Sequence, residues 1–286
     1  MEEKNYCIYS NQFLPKERLN IEHIIPKSLG GSDDFTILVD KQKNSILGSE
    51  VDGQYVNDPL VKLKLIHTNH KGHSKKEQEL HLKKSSINNN PVSLKFRKSG
   101  IDIYDPIAKK HIYPSGESIK TSMTINRETR IKFIAKVALA TGYFILGENF
   151  VKYADHETLR KFIFSPKVLN SNFDLKFIDS LLKIQEKDKT QVQLNSLLIS
   201  HLGGTNVIFQ ICQTNIIVEI GIDGEYIGGV NFKANGNNIP YYDDIRLGQV
   251  VNINNGVMKC ISYWRALYEM NNAMNIVTID DSQLDK

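Results

Sequence analysis

The chain has 286 residues, of which 41% are hydrophobic and 24% are charged, a composition typical of soluble globular proteins. Its length accommodates two modest domains or one large domain, and it contains no apolar run of about eighteen residues that would span a membrane. The polar N-terminus lacks the apolar stretch of a signal peptide, so the sequence predicts a cytoplasmic protein. The cysteines Cys7, Cys212 and Cys260 form no CxxC pair, which excludes a zinc site made of cysteines and argues against a disulfide framework.

Positive charge is concentrated in residues 57–98. This segment has ten Lys or Arg residues against three acidic residues, a net charge of +7, and the rest of the chain is left at −3. It also holds four of the eight histidines. Such a local concentration of basic side chains is the electrostatic footprint of a protein that binds the phosphate backbone of nucleic acids.

The first 55 residues predict short strands and turns followed by a short helix. The β-branched or apolar segments expected to be extended are Cys7–Tyr9, Leu19–Ile25 and Thr36–Val39. Pro26 and the pair Gly30-Gly31 interrupt the chain after the second of these. Asp40 is a candidate N-cap for a helix that begins directly after it, and Gly48 is expected to weaken or end that helix.

The remaining residues predict helices followed by β-hairpins, which makes the fold class α+β. Within the basic segment we expect a helical stretch around Pro59–Ile66, a loop at His67–Ser74 and a hairpin over residues 92–113. The expected helices further along are 127–146 with a stop at Gly147, a helix from the cap Asp155 to Phe164, and a third over Asp174–Gln185. Strands are expected at Val207–Ile211 and Ile216–Ile222, the second followed by the hairpin turn Asp223-Gly224.

The sharpest motif is the stretch from Asn20 to Gly31, which reads Asn-Ile-Glu-His-Ile-Ile-Pro-Lys-Ser-Leu-Gly-Gly, together with Asn44 further on. Phosphodiester hydrolysis requires a base that deprotonates water, a role that suits a histidine near neutral pH. It also requires a divalent cation that stabilises the phosphate, held by few protein ligands so that coordination sites stay open. His23 is the candidate base, and Glu22 and Asn44 are the candidate metal ligands.

This stretch resembles the HNH nuclease family, and within it a bacterial subgroup that carries the Glu-His-Ile-Ile-Pro motif. The family's ββα-metal motif places an acidic residue and a histidine at the end of one strand, followed by a second strand and a helix with an Asn or His ligand. The order Glu22-His23, then Thr36–Val39, then Asn44 agrees with it, over roughly residues 5–60. The resemblance implies an endonuclease that uses one divalent metal, Mg²⁺ or Mn²⁺, and a role in restriction or phage defence.

The chain departs from the family pattern at identifiable positions. Many relatives bind structural zinc through two CxxC knuckles, but here the corresponding segments are Cys7-Ile-Tyr-Ser10 and Asp40-Lys-Gln-Lys43, so no structural zinc is expected. The family's middle Asn, which orients the catalytic histidine, falls at or near Phe35. A backbone carbonyl or Asp34 is therefore expected to orient His23. Asp52 is left open between a hydrogen-bonding role in a loop and a direct metal role.

The basic segment is expected to supply affinity for the substrate, since a motif of this size has too little surface to hold a duplex. Histidines at 67, 70 and 73 leave two alternatives to phosphate contact, a plain solvated loop and a second metal site. The candidate nucleic-acid contacts are Lys27, Lys62, Lys64, His70, Lys71, His73, Lys75 and Lys76.

Three functional hypotheses follow from the sequence. The leading one is an endonuclease that acts on DNA in preference to RNA, and the second is a nucleic-acid-binding protein that keeps the HNH fold without cleavage. The third is a structural or interaction protein that works through its C-terminal strands, with a homodimer or a partner protein bound there and no membrane contact. The expected domains are an HNH nuclease motif at 1–56, a basic segment with a β-hairpin at 57–118, and a mixed helical and β-rich domain at 119–286.

Overall fold

The computed structural model describes residues 4–68, 77–113, 116–169, 172–240 and 247–274. It has an α+β fold with the predicted ββα arrangement at its N-terminus, followed by helices and antiparallel sheets. In the described part of the chain, no helix is long and apolar enough to cross a membrane.

The N-terminal region consists of two antiparallel hairpins and a series of short helices. Its strands are β1 (Lys4–Cys7), β2 (Gln12–Pro15), β3 (Leu19–His23) and β4 (Thr36–Asp40), with β1 paired to β2 and β3 paired to β4. Its helices are α1 (Lys41–Leu47), α2 (Gly53–Val56) and α3 (Pro59–Leu65). The predictions for β3, β4, α1 and α3 are confirmed, whereas the first expected strand is wrong beyond Cys7, because residues 8–11 form the turn of the β1–β2 hairpin.

The start of α1 and the weakening of the helix at Gly48 are both confirmed. The Asp40 side chain accepts hydrogen bonds from the backbone N–H groups of Gln42 and Lys43 and so caps the helix. Gly48 adopts helical backbone angles of φ −59° and ψ −37°, and one wide π turn over Gly48–Asp52 connects α1 to α2. Glycine therefore loosens the helical path here without ending it.

The basic segment leads into a small sheet with its own core. Its strands are β5 (Leu80–Ile87), β6 (Asn90–Arg97), β7 (Gly100–Asp105), β8 (Lys110–Ile112) and β9 (Ile119–Thr121), in the order β8-β7-β6-β5-β9. The hairpin expected over residues 92–113 is confirmed as β6–β7, although the sheet continues beyond it on both sides. Apolar side chains of alternating positions, such as Leu80, Leu82, Val92 and Leu94, pack with Ile66 after α3.

Three helices follow, and the sequence predicts the first and the third of them. They are α4 (Arg127–Leu146), α5 (Glu148–Tyr153) and α6 (His156–Phe164). Asn126 caps α4, Gly147 ends it with φ 54°, and Asp155 caps α6 through the N–H of Thr158. The long helix α4 is buried along most of its length and lies between the N-terminal motif and the C-terminal sheet.

The helix expected over Asp174–Gln185 is wrong. Residues Leu175–Asp179 form strand β10, and the helix α7 begins only at Glu186 and runs to Leu202. Pairing of β10 with a strand more than fifty residues away and a buried ion pair from Asp179 to Arg130 override the local preference.

The C-terminal sheet joins β10 to five later strands. These are β11 (Thr205–Ile211), β12 (Asn215–Ile222), β13 (Glu225–Lys233), β14 (Gly248–Asn254) and β15 (Val257–Ser262), and the helix α8 (Tyr263–Ala273) follows. The strand order is β10-β13-β12-β11-β14-β15, with all pairs antiparallel. The predicted strands and the turn at Asp223-Gly224 are confirmed. A single hydrophobic core joins this sheet, α4 and the N-terminal motif, so α4 packs against the motif.

Candidate active site

Strand β3 carries Glu22 and His23 on its two opposite faces. Register pairing sets Glu22 across from the buried Ile37, and Glu22 itself is only 7% exposed. His23 lies on the other face with Ile21, whose side chain is 63% exposed. The face of the β3–β4 hairpin that bears His23 is therefore open to solvent, while Glu22 points toward the core.

His23 is oriented by a carboxylate from the loop that joins β3 to β4. Its Nε2 lies 2.9 Å from Oδ1 of Asp33, whose Oδ2 accepts a hydrogen bond of 2.5 Å from Nζ of Lys27. The hydrogen bond from Lys27, followed by that from His23, lowers the pKa of the Asp33 carboxyl. Asp33 is thus an anion that favours a proton on Nε2 of His23, which assigns the ring's lone pair to Nδ1. Sequence reasoning placed this role on a backbone carbonyl or on Asp34, one residue later in the same loop.

The loop itself is held by close backbone packing and by contacts with the C-terminal sheet. Gly30 has φ 83°, and a Cβ on Gly31 would lie 1.8 Å from the carbonyl oxygen of Ile25. Oγ of Ser32 donates to the carbonyl of Gly256, and Oγ1 of Thr205 donates to the carbonyl of Leu29. These contacts fix the loop that carries Asp33.

Phe35 occupies the position expected for the family's middle Asn. It is fully buried and packs edge-to-face on Phe144 of α4, with ring centroids 5.0 Å apart. Its backbone carbonyl accepts a hydrogen bond from the N–H of Ile24. The side chain at this position therefore attaches the hairpin to α4, and the imidazole is oriented from Asp33.

Asn44 lies on α1 and faces β3. Its Nδ2 donates to Oδ1 of Asn20 at 3.0 Å and to the carbonyl of Ile21 at 3.4 Å. Because both contacts use the amide nitrogen, they direct Oδ1, the atom able to bind a cation, away from Asn20. The three candidate site residues thus contact different partners: Asn44 contacts Asn20 and Ile21, His23 contacts Asp33, and Glu22 contacts Lys136.

The carboxylate of Glu22 belongs to a buried ion cluster with Lys136 and Asp52. Nζ of Lys136 lies 2.5 Å from Oε1 of Glu22 and 2.9 Å from Oδ2 of Asp52. Burial raises the pKa of Asp52 to about 6, against the opposing effect of the Lys136 charge. Burial lowers the pKa of Lys136, but the charges of Asp52 and Glu22 outweigh it and the net direction is upward. The sequence signal for Lys136 is a single lysine inside the apolar stripe of α4, a pattern that predicts the helix but no site.

The candidate ligands Glu22 and Asn44 offer carboxylate and amide oxygens, the donor type that a hard divalent cation such as Mg²⁺ or Mn²⁺ prefers. Within the described ranges, no group of three or more His, Cys, Asp or Glu side chains is close enough to hold a metal ion. Two carboxylates, those of Glu22 and Asp52, face the single ammonium of Lys136, and Glu22 lies on the face of β3 opposite His23. Oε1 of Glu22 contacts Nζ of Lys136 at 2.5 Å, whereas Oδ1 of Asp52 has no hydrogen-bond partner among the described residues. Lys136 therefore supplies the cation that these buried carboxylates require.

The segments Cys7–Ser10 and Asp40–Lys43, where many relatives have zinc knuckles, are held by a hydrogen bond, an ion pair and a cation–π contact. The N–H of Asp40 lies 3.1 Å from the buried thiol sulfur of Cys7. The Asp40 carboxylate pairs with Arg18 at 2.7 Å, and Lys43 lies over the ring of Phe164, 4.4 Å from its centroid. The contact between Asp40 and Cys7 thus connects the two segments directly, and Arg18 and Phe164 hold the second segment from outside.

The candidate nucleic-acid contacts fall into three groups. Lys27 is paired with Asp33 beside His23, and Lys62 is a half-buried residue of α3. Lys64 is committed to the C-terminal sheet, because its Nζ donates to the carbonyl of Ile222 and pairs with Glu225 at 2.8 Å. The others lie outside the described residues: His70, Lys71, His73, Lys75 and Lys76.

Comparison with known proteins identifies one family at this site. Residues 7–60 match the family model described as HNH endonuclease. That range contains both hairpin strands β3 and β4, the helix α1, and the residues Glu22, His23 and Asn44. No curated protein matches the chain, and no solved structure does.

Proposed function

Since residues 7–60 match the HNH endonuclease family model, we propose that the chain is a metal-dependent endonuclease acting on DNA. The observation that carries this proposal is the contact between His23 and Asp33 on the solvent-exposed face of the β3–β4 hairpin. An imidazole held by a carboxylate and partly exposed to solvent is an arrangement that suits a general base.

In this proposal, His23 removes a proton from the water that attacks the phosphorus. Asp33 keeps the Nε2 proton in place and stabilises the imidazolium that forms when Nδ1 accepts the proton. Glu22 and Asn44 would hold one Mg²⁺ or Mn²⁺ ion through their oxygens, with Lys136 pairing with the Glu22 carboxylate from the side of the core. The ion, when bound, supplies electrostatic stabilisation of the phosphate and the leaving oxygen.

Binding of the substrate relies on basic side chains around this face. Lys27 adjoins His23 through Asp33, and Lys62 belongs to α3, within the basic segment. Lys64 is a weaker candidate than the sequence indicates, because its charge is paired with Glu225. Binding that depends on such contacts releases counterions, so the affinity falls steeply as the salt concentration rises.

The family resemblance alone suggests the biological role that we propose, restriction or phage defence. We extend the proposal to a cytoplasmic protein that acts in restriction or phage defence and binds a second copy or a partner protein through its C-terminal domain.

The experiment that tests the proposal compares nicking of supercoiled plasmid by the purified protein in Mg²⁺, in Mn²⁺ and in EDTA. The variants are His23→Ala and, as a matched control, His201→Ala, which removes an exposed histidine from α7. We expect divalent-dependent nicking that EDTA and His23→Ala abolish and that His201→Ala leaves unchanged. Salt-sensitive DNA binding without cleavage in either metal would replace the proposal with a binding protein, and absence of DNA binding at low salt would indicate an interaction protein.

A further inference from the structure

Lys136 is a fully buried lysine in the middle of α4, and its ammonium meets the nuclease motif. The side chain is 0% exposed, and Nζ contacts four oxygen atoms. Two are the carboxylates of Glu22 and Asp52 described above. The other two are the backbone carbonyls of His23 and Ile24, each 3.2 Å away. One side chain therefore contacts three consecutive residues at the end of β3.

The surroundings of Lys136 make these contacts obligatory. Its neighbours on α4 are completely buried apolar residues, among them Phe133, Ile134, Val137 and Ala138. An ammonium in such a place is stable only if it is paired and hydrogen-bonded, and these four oxygens of the N-terminal motif are its partners. Residues from α4 and from the end of β3 therefore depend on each other, although they lie more than a hundred positions apart in the chain.

We propose that Lys136 is a positioning residue of the nuclease centre, an inference that rests on the function proposed above. By binding the carbonyls of His23 and Ile24, Lys136 fixes the backbone from which the imidazole of His23 projects toward solvent. By pairing with Glu22, it fixes the direction of the carboxylate on the other face of the strand. Lys136 does not touch the substrate, and it acts through the orientation of these two residues.

A primary ammonium suits this role better than a guanidinium does. Lysine presents three donors from one compact, charged nitrogen, which can serve oxygens arranged around a point. Arginine presents a planar fork that matches a single carboxylate side by side. The four oxygens at Lys136 come from Glu22, Asp52 and two consecutive carbonyls, so Lys136→Arg preserves the charge without reproducing the arrangement.

The test compares Lys136→Met and Lys136→Arg with the control Lys132→Met, which removes an ammonium one turn earlier on the same helix, where it pairs with Glu128. We expect both Lys136 variants to lower kcat for plasmid nicking, Lys136→Met by about 100-fold, because misplacement of a catalytic group by about 1 Å has an effect of that size. KM for DNA should stay within about twofold of the wild-type value, since no phosphate contact is lost. A purely structural role would instead lower the melting temperature and leave kcat per folded molecule unchanged.

A second readout does not depend on activity. In protein labelled at histidine, the ring resonances of His23, assigned from His23→Ala, should shift in both Lys136 variants, whereas those of His201 should not. Lys136→Arg keeps a positive charge beside the two carboxylates. If Lys136→Met fails to fold, kcat and the His23 resonances of Lys136→Arg therefore test the inference. Wild-type kcat and unshifted His23 resonances in Lys136→Arg would overturn the inference. If the wild-type protein cleaves no DNA, the proposed function fails, and the resonances of His23 still report whether Lys136 positions its ring.

Discussion

Glu219 is a carboxyl buried in the C-terminal sheet with no cationic partner in the described part of the chain, and replacing it with glutamine has a calculable effect. It is 1% exposed, and it accepts hydrogen bonds from Nδ2 of Asn195 and, at 3.1 Å, from the hydroxyl of Tyr226. Burial raises its pKa from 4.5 to about 7, although both hydrogen bonds act in the opposite direction. The fold therefore prefers the neutral carboxyl.

The direction of the effect on stability follows from this raised pKa. Below pH 4.5 the carboxyl is neutral in both the folded and the unfolded state, so ionisation costs the fold nothing. Between pH 4.5 and about 7 the unfolded chain ionises first, and stability falls as the pH rises. At about 1.4 kcal/mol for each pH unit between the two pKa values, the full loss above pH 7 is about 3 kcal/mol. Glu219→Gln has the same shape and cannot ionise, so this loss should be absent.

The assay is urea unfolding of the wild type and Glu219→Gln at pH 5 and at pH 8. The stability of the variant relative to the wild type should rise by about 2–3 kcal/mol between the two pH values, since other titrating groups cancel in the difference. Glu186→Gln is the control, because its side chain is 87% exposed, and its difference from the wild type should not depend on pH. A difference for Glu219→Gln that is the same at both pH values would refute the reasoning.

Two further pairs of substitutions, each a test with its control, examine a buried ion pair of α4 and the loop after β3. Asp179→Ala leaves the guanidinium of Arg130 buried without its carboxylate, and it should destabilise the fold by about 3–5 kcal/mol in urea unfolding. Asp174→Ala, which breaks an exposed pair with Lys233, should cost less than about 1 kcal/mol, and equal effects would contradict the account. Gly31→Ala forces a Cβ against the carbonyl of Ile25 and should lower stability by about 1–3 kcal/mol, measured by the same method. Gly48→Ala meets no atom within 4 Å and should leave stability unchanged or raise it, so a comparable loss there would show that packing is not the cause.

Elements with strong local signals were predictable from the sequence. The cap Asp40 precedes α1, the apolar spacing of residues 127–146 gives α4, and the β-branched segments at 207–222 form the strands β11 and β12. Each of these signals acts within a few residues of the chain, so one sequence is sufficient to detect it. The order of β3, β4 and α1 around His23 was predictable for the same reason, because each of these elements has its own local signal.

Features that depend on distant partners were not predictable. Residues Leu175–Asp179 form a strand because β13 pairs with them and because Asp179 meets Arg130. Lys136 appears in the sequence as one basic residue in an apolar helix, and nothing local indicates that its partners lie at residues 22–24 and 52. Similarly, the loop's conformation decides that Asp33 reaches His23.

The single-turnover rate constant for DNA strand cleavage by His23→Ala, with the protein in excess in Mg²⁺ buffer, tests the central claim most directly. Measuring the Kd for the same DNA in parallel separates chemistry from binding. Removal of the base should lower the rate constant by about 10²–10⁴-fold while the Kd stays close to that of the wild type. Cleavage by His23→Ala at the wild-type rate would contradict the assignment of His23 as the base and place the chemistry elsewhere in the protein.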